Sequence, residues 1–248
     1  MSDTQVSMCK AGSVCRQLDW LIGKFTGHAE KTEGKTMTLE KMDDFFTART
    51  EGYDEHMLRD VGGCANGYRL MAEKIAGIAP KKLLDLGCGT GLELDFILKL
   101  CPDIDVTGID MTQAMLDKLI EKHPGVKTVR GDYFEVPFGD GYDAAVSFET
   151  LHHFTREKKA GLYKKLFDSL KDGGVYIECD YMCETDEQEK WFFDELEKLK
   201  REQNIDGLFH FDTPITVDGQ KTLLRNAGFR SVEEIFSEEH TVMLIARK

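Results

Sequence analysis

Beyond about residue 80 the chain alternates short apolar runs with longer amphipathic stretches. The apolar runs predict five strands, at residues 83–86, 104–109, 126–129, 144–148 and 175–179. The amphipathic stretches between them predict helices, among them 92–100 and 155–170. Strands and helices in strict alternation predict right-handed βαβ crossovers and a mostly parallel α/β sheet with helices on both faces.

The segments flanking this pattern differ from it. Residues 1–36 contain a polar run at 27–36 and are predicted to be an N-terminal extension or linker, either a short packed helix or a poorly ordered tail. Residues 37–75 predict helices, with a break at glycines 62–63 and a possible lid function. Residues 181–216 predict a charged helix opened by a capping box, then a loop. A helix at 217–227 and two strands, at 231–236 and 241–246, end the chain.

Charge and composition indicate which classes of binding partner to expect. The net charge is −13, from 45 acidic and 32 basic residues. Such a surface repels phosphate backbones. A nucleic acid is therefore disfavoured as the partner, and a small molecule is expected. No apolar stretch is long enough for a membrane span or a secretory signal, so we expect a cytoplasmic monomer or homodimer. The seven cysteines form no Cys-x-x-Cys pair, and no metal centre is expected.

The strongest local signal is LLDLGCGTG at residues 83–91, a strand that runs into a glycine-rich turn. A dinucleotide fingerprint would need glycine at position 92, where this chain has Leu92. The Gly-x-Gly-x-Gly form closely resembles the first motif of the class I S-adenosylmethionine-dependent methyltransferases. The resemblance implies that Gly87, Cys88 and Gly89 wrap the methionine part of the cofactor and that Asp85 reaches its amino group.

Two further motifs follow at matching intervals. Asp110 ends the second predicted strand about 20 residues after the turn, where an acid can bind the hydroxyls of a ribose. By the resemblance, Met111 packs on the adenine. The RGDYF stretch at residues 130–134 resembles the family's third motif. It implies that Asp132 takes the adenine amino group and that Tyr133 lies along the ring.

The fourth motif, YDAAVSFETLHHF at residues 142–154, resembles the part of the family site that faces both cofactor and acceptor. Phe148 is expected to line the sulfonium end, and Glu149 and His152 the substrate side. His153 lies four residues beyond Glu149, as in phosphoethanolamine-type methyltransferases, where the matching histidine works with an N-terminal tyrosine. Tyr53 is the candidate for that tyrosine, and His153 the candidate for a general base.

The resemblance covers residues 75–180 well and implies a methyltransferase domain at 37–248. Its expected fold is a Rossmann-like, seven-stranded, mostly parallel sheet with an antiparallel last strand, a lid at 37–75 and a helical cap insert at 181–216. S-Adenosyl-L-methionine is then the cofactor and S-adenosyl-L-homocysteine the product of an in-line methyl transfer. Two alternatives stay open: transfer from a carboxy-type cofactor, with Arg49 or Arg69 holding the extra carboxylate, and a non-catalytic S-adenosylmethionine-binding protein. A dehydrogenase is disfavoured by Leu92.

Overall fold

The structure, a computed structural model, describes residues 38–248. The predicted extension at residues 1–36 lies outside the described residues. One sheet contains seven strands in the order β3-β2-β1-β4-β5-β7-β6. The strands are β1 Lys82–Leu86, β2 Asp105–Asp110, β3 Lys127–Arg130, β4 Tyr142–Phe148, β5 Leu170–Tyr181, β6 Ser231–Glu238 and β7 Thr241–Arg247.

Eight helices are present within residues 38–248. The first three, α1 to α3, precede the sheet, α4 to α6 connect its parallel strands, α7 follows β5, and α8 precedes the terminal hairpin. Their bounds are α1 Met42–Arg49, α2 Tyr53–Arg59, α3 Cys64–Ile78, α4 Leu92–Leu100, α5 Gln113–Lys122, α6 Arg156–Ser169, α7 Asp186–Gln203 and α8 Val217–Ala227. No helix in this part of the chain is both long and apolar enough for a membrane crossing.

The strand directions confirm the predicted Rossmann-like fold. β1 pairs in parallel with both β2 and β4, whereas β7 runs antiparallel to both β5 and β6. The order of the strands reverses between β1 and β4. In open α/β sheets ligands bind at the carboxyl ends of the strands beside such a reversal, and the candidate site is found there.

Alternation along the strands divides the core into two layers. Leu83 and Val146 pack on one face, with α3, α4 and α5. Leu84 and Ala145 pack on the other, with α6 and α8. All four are fully buried, and full burial of a leucine or valine contributes about 1.5–3 kcal/mol. Covering both faces leaves only the ends of the strands for a site.

Some local expectations are corrected. The helical segment expected before glycines 62–63 is divided into α1 and α2 at Gly52, whose φ of +80° ends regular helix. α6 ends at Ser169 and is followed directly by β5, which begins at Leu170, five residues before the predicted strand, and contains the glycines at 173–174. Thr112 occupies the N-cap position of α5, but its side chain makes no capping hydrogen bond. The Oδ1 of Asp110 instead accepts the Thr112 N–H, at 2.8 Å.

Candidate active site

A cavity of about 590 Å³, its open mouth included, lies at the carboxyl ends of β1, β2 and β4. One wall, which we call the cofactor-side wall because the sequence predicted cofactor contacts for its residues, consists of Gly87, Gly89, Asp110, Met111, Asp132 and Tyr133. Glu149, Thr150, His153 and Phe154 form the opposite wall, and Met42, Phe46, Tyr53 and Leu208 cover the cavity from α1, α2 and the loop after α7.

The turn after β1 passes close against the loop after β4. Gly87 has φ +69°, and a Cβ built there would lie 2.1 Å from the Thr150 hydroxyl oxygen. The Gly87 and Cys88 N–H groups both donate to the carbonyl of Ile109, at 2.8 and 3.2 Å. Only glycine fits this position, which brings the backbone of the turn to the cavity wall at the start of α4.

Asp110 organises the adjacent wall. Its Oδ2 accepts the N–H of Gly89 at 2.9 Å, and its Oδ1 accepts that of Thr112 at 2.8 Å. Burial raises the pKa of Asp110 to about 6, although these N–H donors stabilise the ionised form. At neutral pH the group is therefore a carboxylate, the form that accepts hydroxyl hydrogen bonds.

Two further acids lie beneath the turn. Asp85 and Glu93 are buried, and both oxygens of Asp85 and the Oε1 of Glu93 have no hydrogen-bond partner among the described residues. Burial, together with the nearby Asp110 carboxylate, raises the pKa of Asp85 to about 7. The pKa of Glu93 is raised well above its usual value, by burial and then by Asp85. Buried acids without partners complement a positively charged group.

The third motif contributes Asp132 and Tyr133. Asp132 lines the cavity while its Oδ1 accepts the N–H of Phe134 at 2.9 Å. Tyr133 is buried, and its hydroxyl donates to the Thr150 carbonyl at 3.1 Å. Tyr133 therefore presents a fixed ring to the cavity, held from the loop after β4.

Glu149 stands at the tip of β4 in an unusual conformation. Its φ of +48° lies in the left-handed region, which non-glycine residues adopt only uncommonly. Its N–H donates to Cys179 O at 2.8 Å, and its Oε2 lies 3.6 Å from Nδ1 of His152. Burial raises the pKa of Glu149 to about 8, against the opposing effect of His152.

The two histidines after β4 have opposite electrostatic environments. For His152, burial is outweighed by Asp180 and Asp212, so its pKa is raised well above the usual value. For His153, burial and then the charges of His152 and His210 lower the pKa well below the usual value. His153 is therefore uncharged at neutral pH.

Tyr53 and His153 line the same cavity without a hydrogen bond between them. The ring of Phe46 is near both, with centroid distances of 6.4 Å to Tyr53 and 6.3 Å to His153. The pKa of the Tyr53 hydroxyl is raised well above its usual value by burial and by Glu93, so it stays protonated. Tyr53 covers the cofactor-side wall from α2.

Four of the predicted site residues do not line the cavity: Asp85, Cys88, Phe148 and His152. Phe148 was expected at the sulfonium end, but it points into the core and stacks on Tyr68, with ring centroids 3.7 Å apart. The Cys88 side chain lies over Gly108, where an added Cβ would be 2.7 Å from its sulfur. His152 lies behind His153, against Asp180.

Other residues of the site were not predicted. Thr150 and Phe154 belong to the fourth motif, and their place beside Glu149 and His153 was the available signal. Met42, Phe46, Met115 and Leu208 line the cavity from separate segments, and apolar residues of this kind have no local signature. Within the part of the chain that the structure describes, no Lys or Arg lines the cavity, whereas three carboxylates do: Asp110, Asp132 and Glu149.

Comparisons with known proteins agree with this geometry. Residues 83–174 match the family model described as a methyltransferase domain. The chain is 25% identical to a carboxy-S-adenosyl-L-methionine synthase from Campylobacter lari, over 80% of this chain and 91% of the relative. A relative of the same name from Helicobacter pylori is 29% identical over 68% of this chain and 75% of its own length.

Solved structures show the same fold. A putative O-methyltransferase from Nostoc punctiforme superposes with a TM-score of 0.64 at 20% identity, covering 87% of this chain and 64% of that one. The human N-acetylserotonin methyltransferase, in complex with S-adenosylmethionine, has a TM-score of 0.60 at 17% identity, covering 83% and 56%. The chain thus spans less than two thirds of the length of either structure.

The fold, the sequence motifs and the match to the family model together indicate the class of protein. Residues 83–174 match a methyltransferase domain, and the motifs of the chain are similar to those of the class I S-adenosylmethionine-dependent methyltransferases. The chain is an enzyme, and its cofactor is S-adenosyl-L-methionine. The residues present fit this cofactor: the unpartnered acids Asp85 and Glu93 suit its ammonium end, and the Asp110 carboxylate beside the glycine turn suits its ribose.

Proposed function

We propose that this enzyme transfers a methyl group from S-adenosylmethionine to a small, neutral or positively charged acceptor. The observation that carries the proposal is the covered cavity, whose ionisable lining is acidic and contains no Lys or Arg within residues 38–248. The cofactor supplies an activated sulfonium methyl group. The chain's task is then mainly to position the acceptor, and orientation alone can supply on the order of 7–11 kcal/mol.

The cover supports a small acceptor. Phe46 and Tyr53 lie over the cavity from α1 and α2, and Leu208 lies over it from the loop after α7. A covered space with aromatic residues over it suits a small molecule better than an extended polymer.

The charges support the acceptor class. Glu149 lines the cavity, and Asp180 and Asp212 lie directly behind it around His152. A carboxylate-bearing acceptor would enter a region that already holds several acids, whereas an amine or a neutral hydroxyl or thiol would not be repelled.

His153 is a weak base in this environment. Its lowered pKa means that the ring binds a proton less readily than an ordinary imidazole. We therefore propose that His153 shapes the acceptor wall, and that Tyr53, whose hydroxyl stays protonated, covers the cofactor and donates a hydrogen bond. Acid–base catalysis by Tyr53 and His153 as a pair receives no support, because no hydrogen bond joins them and the Phe46 ring lies near both.

A second candidate is the synthesis or use of a carboxy-type cofactor, which is favoured by the printed names of the relatives. Such a cofactor carries an extra carboxylate that needs a cation. Arg49 instead binds Glu40 and lies over the Phe45 ring, and Arg69 donates to the Asn66 side chain. Neither arginine lines the cavity, so the geometry favours methyl transfer.

A product assay separates the two functions. The full chain is incubated with S-adenosylmethionine and a panel of amines, phenols, thiols and carboxylates, and both S-adenosylhomocysteine and carboxylated cofactor are measured by mass spectrometry. We expect S-adenosylhomocysteine with amines or neutral acceptors. Cofactor gaining a carboxyl group, with no methylated product, would establish the second candidate instead.

A charge variant tests the acceptor class. At a pH above the Glu149 pKa of about 8, Glu149→Gln keeps the size of the side chain and removes its charge, so the KM of a cationic acceptor should rise there while that of a neutral acceptor stays unchanged. The matched control is Glu233→Gln, an exposed acid on β6. Equal KM changes for both acceptor types would contradict the proposed role of charge.

A further inference from the structure

We propose that Nε2 of His152, Nδ1 of His153 and the carboxylate of Asp212 form a binding site for a divalent transition-metal ion. The sequence alone predicted no metal, because Asp212 lies in the segment after α7, far along the chain from the two histidines. The proposal does not depend on the acceptor class, and its test measures metal binding directly.

The spacing of the three groups is that of ligands around one ion. Oδ1 of Asp212 lies 3.5 Å from His152 Nε2 and 3.4 Å from His153 Nδ1. Ligand atoms about 2.0–2.1 Å from a tetrahedral ion are roughly 3.3–3.5 Å apart. Charge-assisted hydrogen bonds would be shorter, about 2.7–2.9 Å. The three ligand atoms all lie within 4.8 Å of one another and do not bond tightly to one another. Nδ1 of His153 also lies 3.3 Å from the Phe211 carbonyl oxygen, so ion binding requires the tautomer of His153 that carries its proton on Nε2.

The second nitrogen of His152 has the partner that metal-binding histidines usually have. Its Nδ1 lies 2.5 Å from Oδ1 of Asp180, a hydrogen-bond distance. Asp180 is itself fixed, because its two oxygens accept the N–H groups of Leu151 and Tyr181, at 3.1 and 3.0 Å. A carboxylate on the far side of the ring orients a ligating imidazole and raises its basicity.

Asp212 is held in register with the histidines by the backbone. Both the N–H and the hydroxyl of Thr213 donate to the carbonyl of His152, at 2.7 and 3.2 Å. The preceding residue, Phe211, is buried and anchors the same loop. The carboxylate is therefore placed before any ion arrives, so binding costs little reordering.

Burial supports the same conclusion. The side chains of His152, His153 and Asp212 are exposed by only 9%, 3% and 11%. A carboxylate grouped with two imidazoles away from water is stabilised by a positive charge, which the ion would supply in place of the proton held by His152. The other possible grouping, Glu149, His152 and Asp180, is less suitable, because 2.5 Å between Nδ1 and Oδ1 is too close for two ligands of one ion.

The donor set indicates the class of ion. Two imidazoles and one carboxylate suit Zn²⁺, Fe²⁺, Mn²⁺ or Co²⁺ better than Mg²⁺ or Ca²⁺, which prefer oxygen ligands. Three protein ligands leave a position for an acceptor atom or water. His153 also lines the cavity, so the ion would lie at the acceptor wall and offset the acids there. The product assay should therefore be run with and without the ion.

The test uses the full chain, stripped with a chelator and dialysed. Zn²⁺ binding is measured by calorimetry and Co²⁺ binding by visible absorption. Asp212→Asn removes the negative charge of the proposed ligand carboxylate. Asp180→Asn removes the carboxylate beside Nδ1 of His152. His56→Gln is the matched control, because His56 is another histidine beside a carboxylate, with 3.2 Å between its Nδ1 and the Oδ2 of Asp60.

We expect one tight ion per wild-type chain and per His56→Gln chain. Asp180→Asn should weaken Zn²⁺ binding about 10–100-fold, and Asp212→Asn more strongly, with S-adenosylmethionine binding retained in both as evidence of folding. If a variant does not fold, the wild-type Co²⁺ spectrum decides, because it should lack a thiolate charge-transfer band. The absence of tight binding, unchanged affinity in a folded Asp212→Asn, or a thiolate band would overturn the proposal.

Discussion

Gly89 donates its backbone N–H to Oδ2 of Asp110 at 2.9 Å, and this bond joins the turn after β1 to the end of β2. The other oxygen of Asp110 accepts the N–H of Thr112 and opens α5. A carboxylate has about four acceptor positions, so Asp110 can order both loops and still accept hydroxyl groups from a ligand. One side chain thus connects the fold at the strand reversal to the cavity wall, where we propose that it binds the cofactor.

Replacing Asp110 with alanine should weaken cofactor binding. A hydrogen bond to a charged group contributes about 1.5–3 kcal/mol, so loss of even one ribose contact corresponds to roughly 10- to 150-fold in affinity. Calorimetry measures the affinity of the variant for S-adenosylmethionine and for S-adenosylhomocysteine. The control is Asp105→Ala at the other end of β2, where the acid binds Lys127 on the surface. Equal affinities in the two variants would contradict the ribose contact.

Gly87→Ala should destabilise the chain and the cofactor site together. The new Cβ would overlap Thr150 at 2.1 Å, and φ is +69°. Gly139→Ala is a close control, because Gly139 has φ +76° and no atom within 4 Å of the added Cβ. The left-handed backbone costs roughly 1–2 kcal/mol at either position, whereas overpacking adds about 1–3 kcal/mol at Gly87 alone. Urea denaturation measures the unfolding free energy of both variants. Equal losses of stability would contradict the close approach of Gly87 to Thr150.

The parts of the fold and site that were predictable depend on local patterns. The turn after β1 and the acid at the end of β2 each belong to one strand and its following loop, so spacing locates them. Alternation of strands and helices likewise predicts the sheet, because each βαβ unit is contiguous. The parallel direction of strands β1 to β5 follows from these connections and the handedness of the crossovers.

The rest depends on contacts between distant segments. Phe148 was expected in the cavity, but alternation along β4 directs it to the same face as Val146, where Tyr68 of α3 stacks on it. The sequence does not show which face α3 covers. The partners of His152 come from β5 and from the loop after α7, and no spacing rule brings Asp180 and Asp212 to one imidazole.

Asp54 should hold the lid closed over the cofactor. It lies on α2 beside Tyr53, accepts the Thr90 hydroxyl, and lies 2.9 Å from Nζ of Lys122 on α5. Losing one hydrogen bond and one partly exposed ion pair costs about 1–2 kcal/mol. Asp54→Ala should therefore speed amide hydrogen exchange in residues 42–59 by roughly tenfold and weaken S-adenosylmethionine binding.

The neighbouring acid provides the lid control. Glu55 is exposed and pairs with Arg59 on the same helix, so Glu55→Ala leaves the contacts to Thr90 and Lys122 intact. Exchange in residues 42–59 should then stay close to that of the wild type. Faster exchange in both variants would mean that α2 is limited by its own helical stability and not by its connection to the turn.

Asp85 should make stability fall as the pH rises. Burial, with the nearby Asp110 carboxylate, raises its pKa from 3.8 to about 7 in the folded chain. A raised carboxyl pKa stabilises the fold fully below about pH 4, and this contribution is lost as the pH rises through 7, at about 1.4 kcal/mol for each unit. Asp85→Asn cannot ionise, so its unfolding free energy should increase relative to the wild type as the pH rises from about 4 to about 7 and then level off, as measured by urea denaturation. The control is Asp105→Asn, at an exposed position at the start of β2. Its unfolding free energy should show the same pH dependence as that of the wild type. If the unfolding free energy of Asp85→Asn has the same pH dependence as that of the wild type, the pKa of Asp85 is not raised in the folded chain.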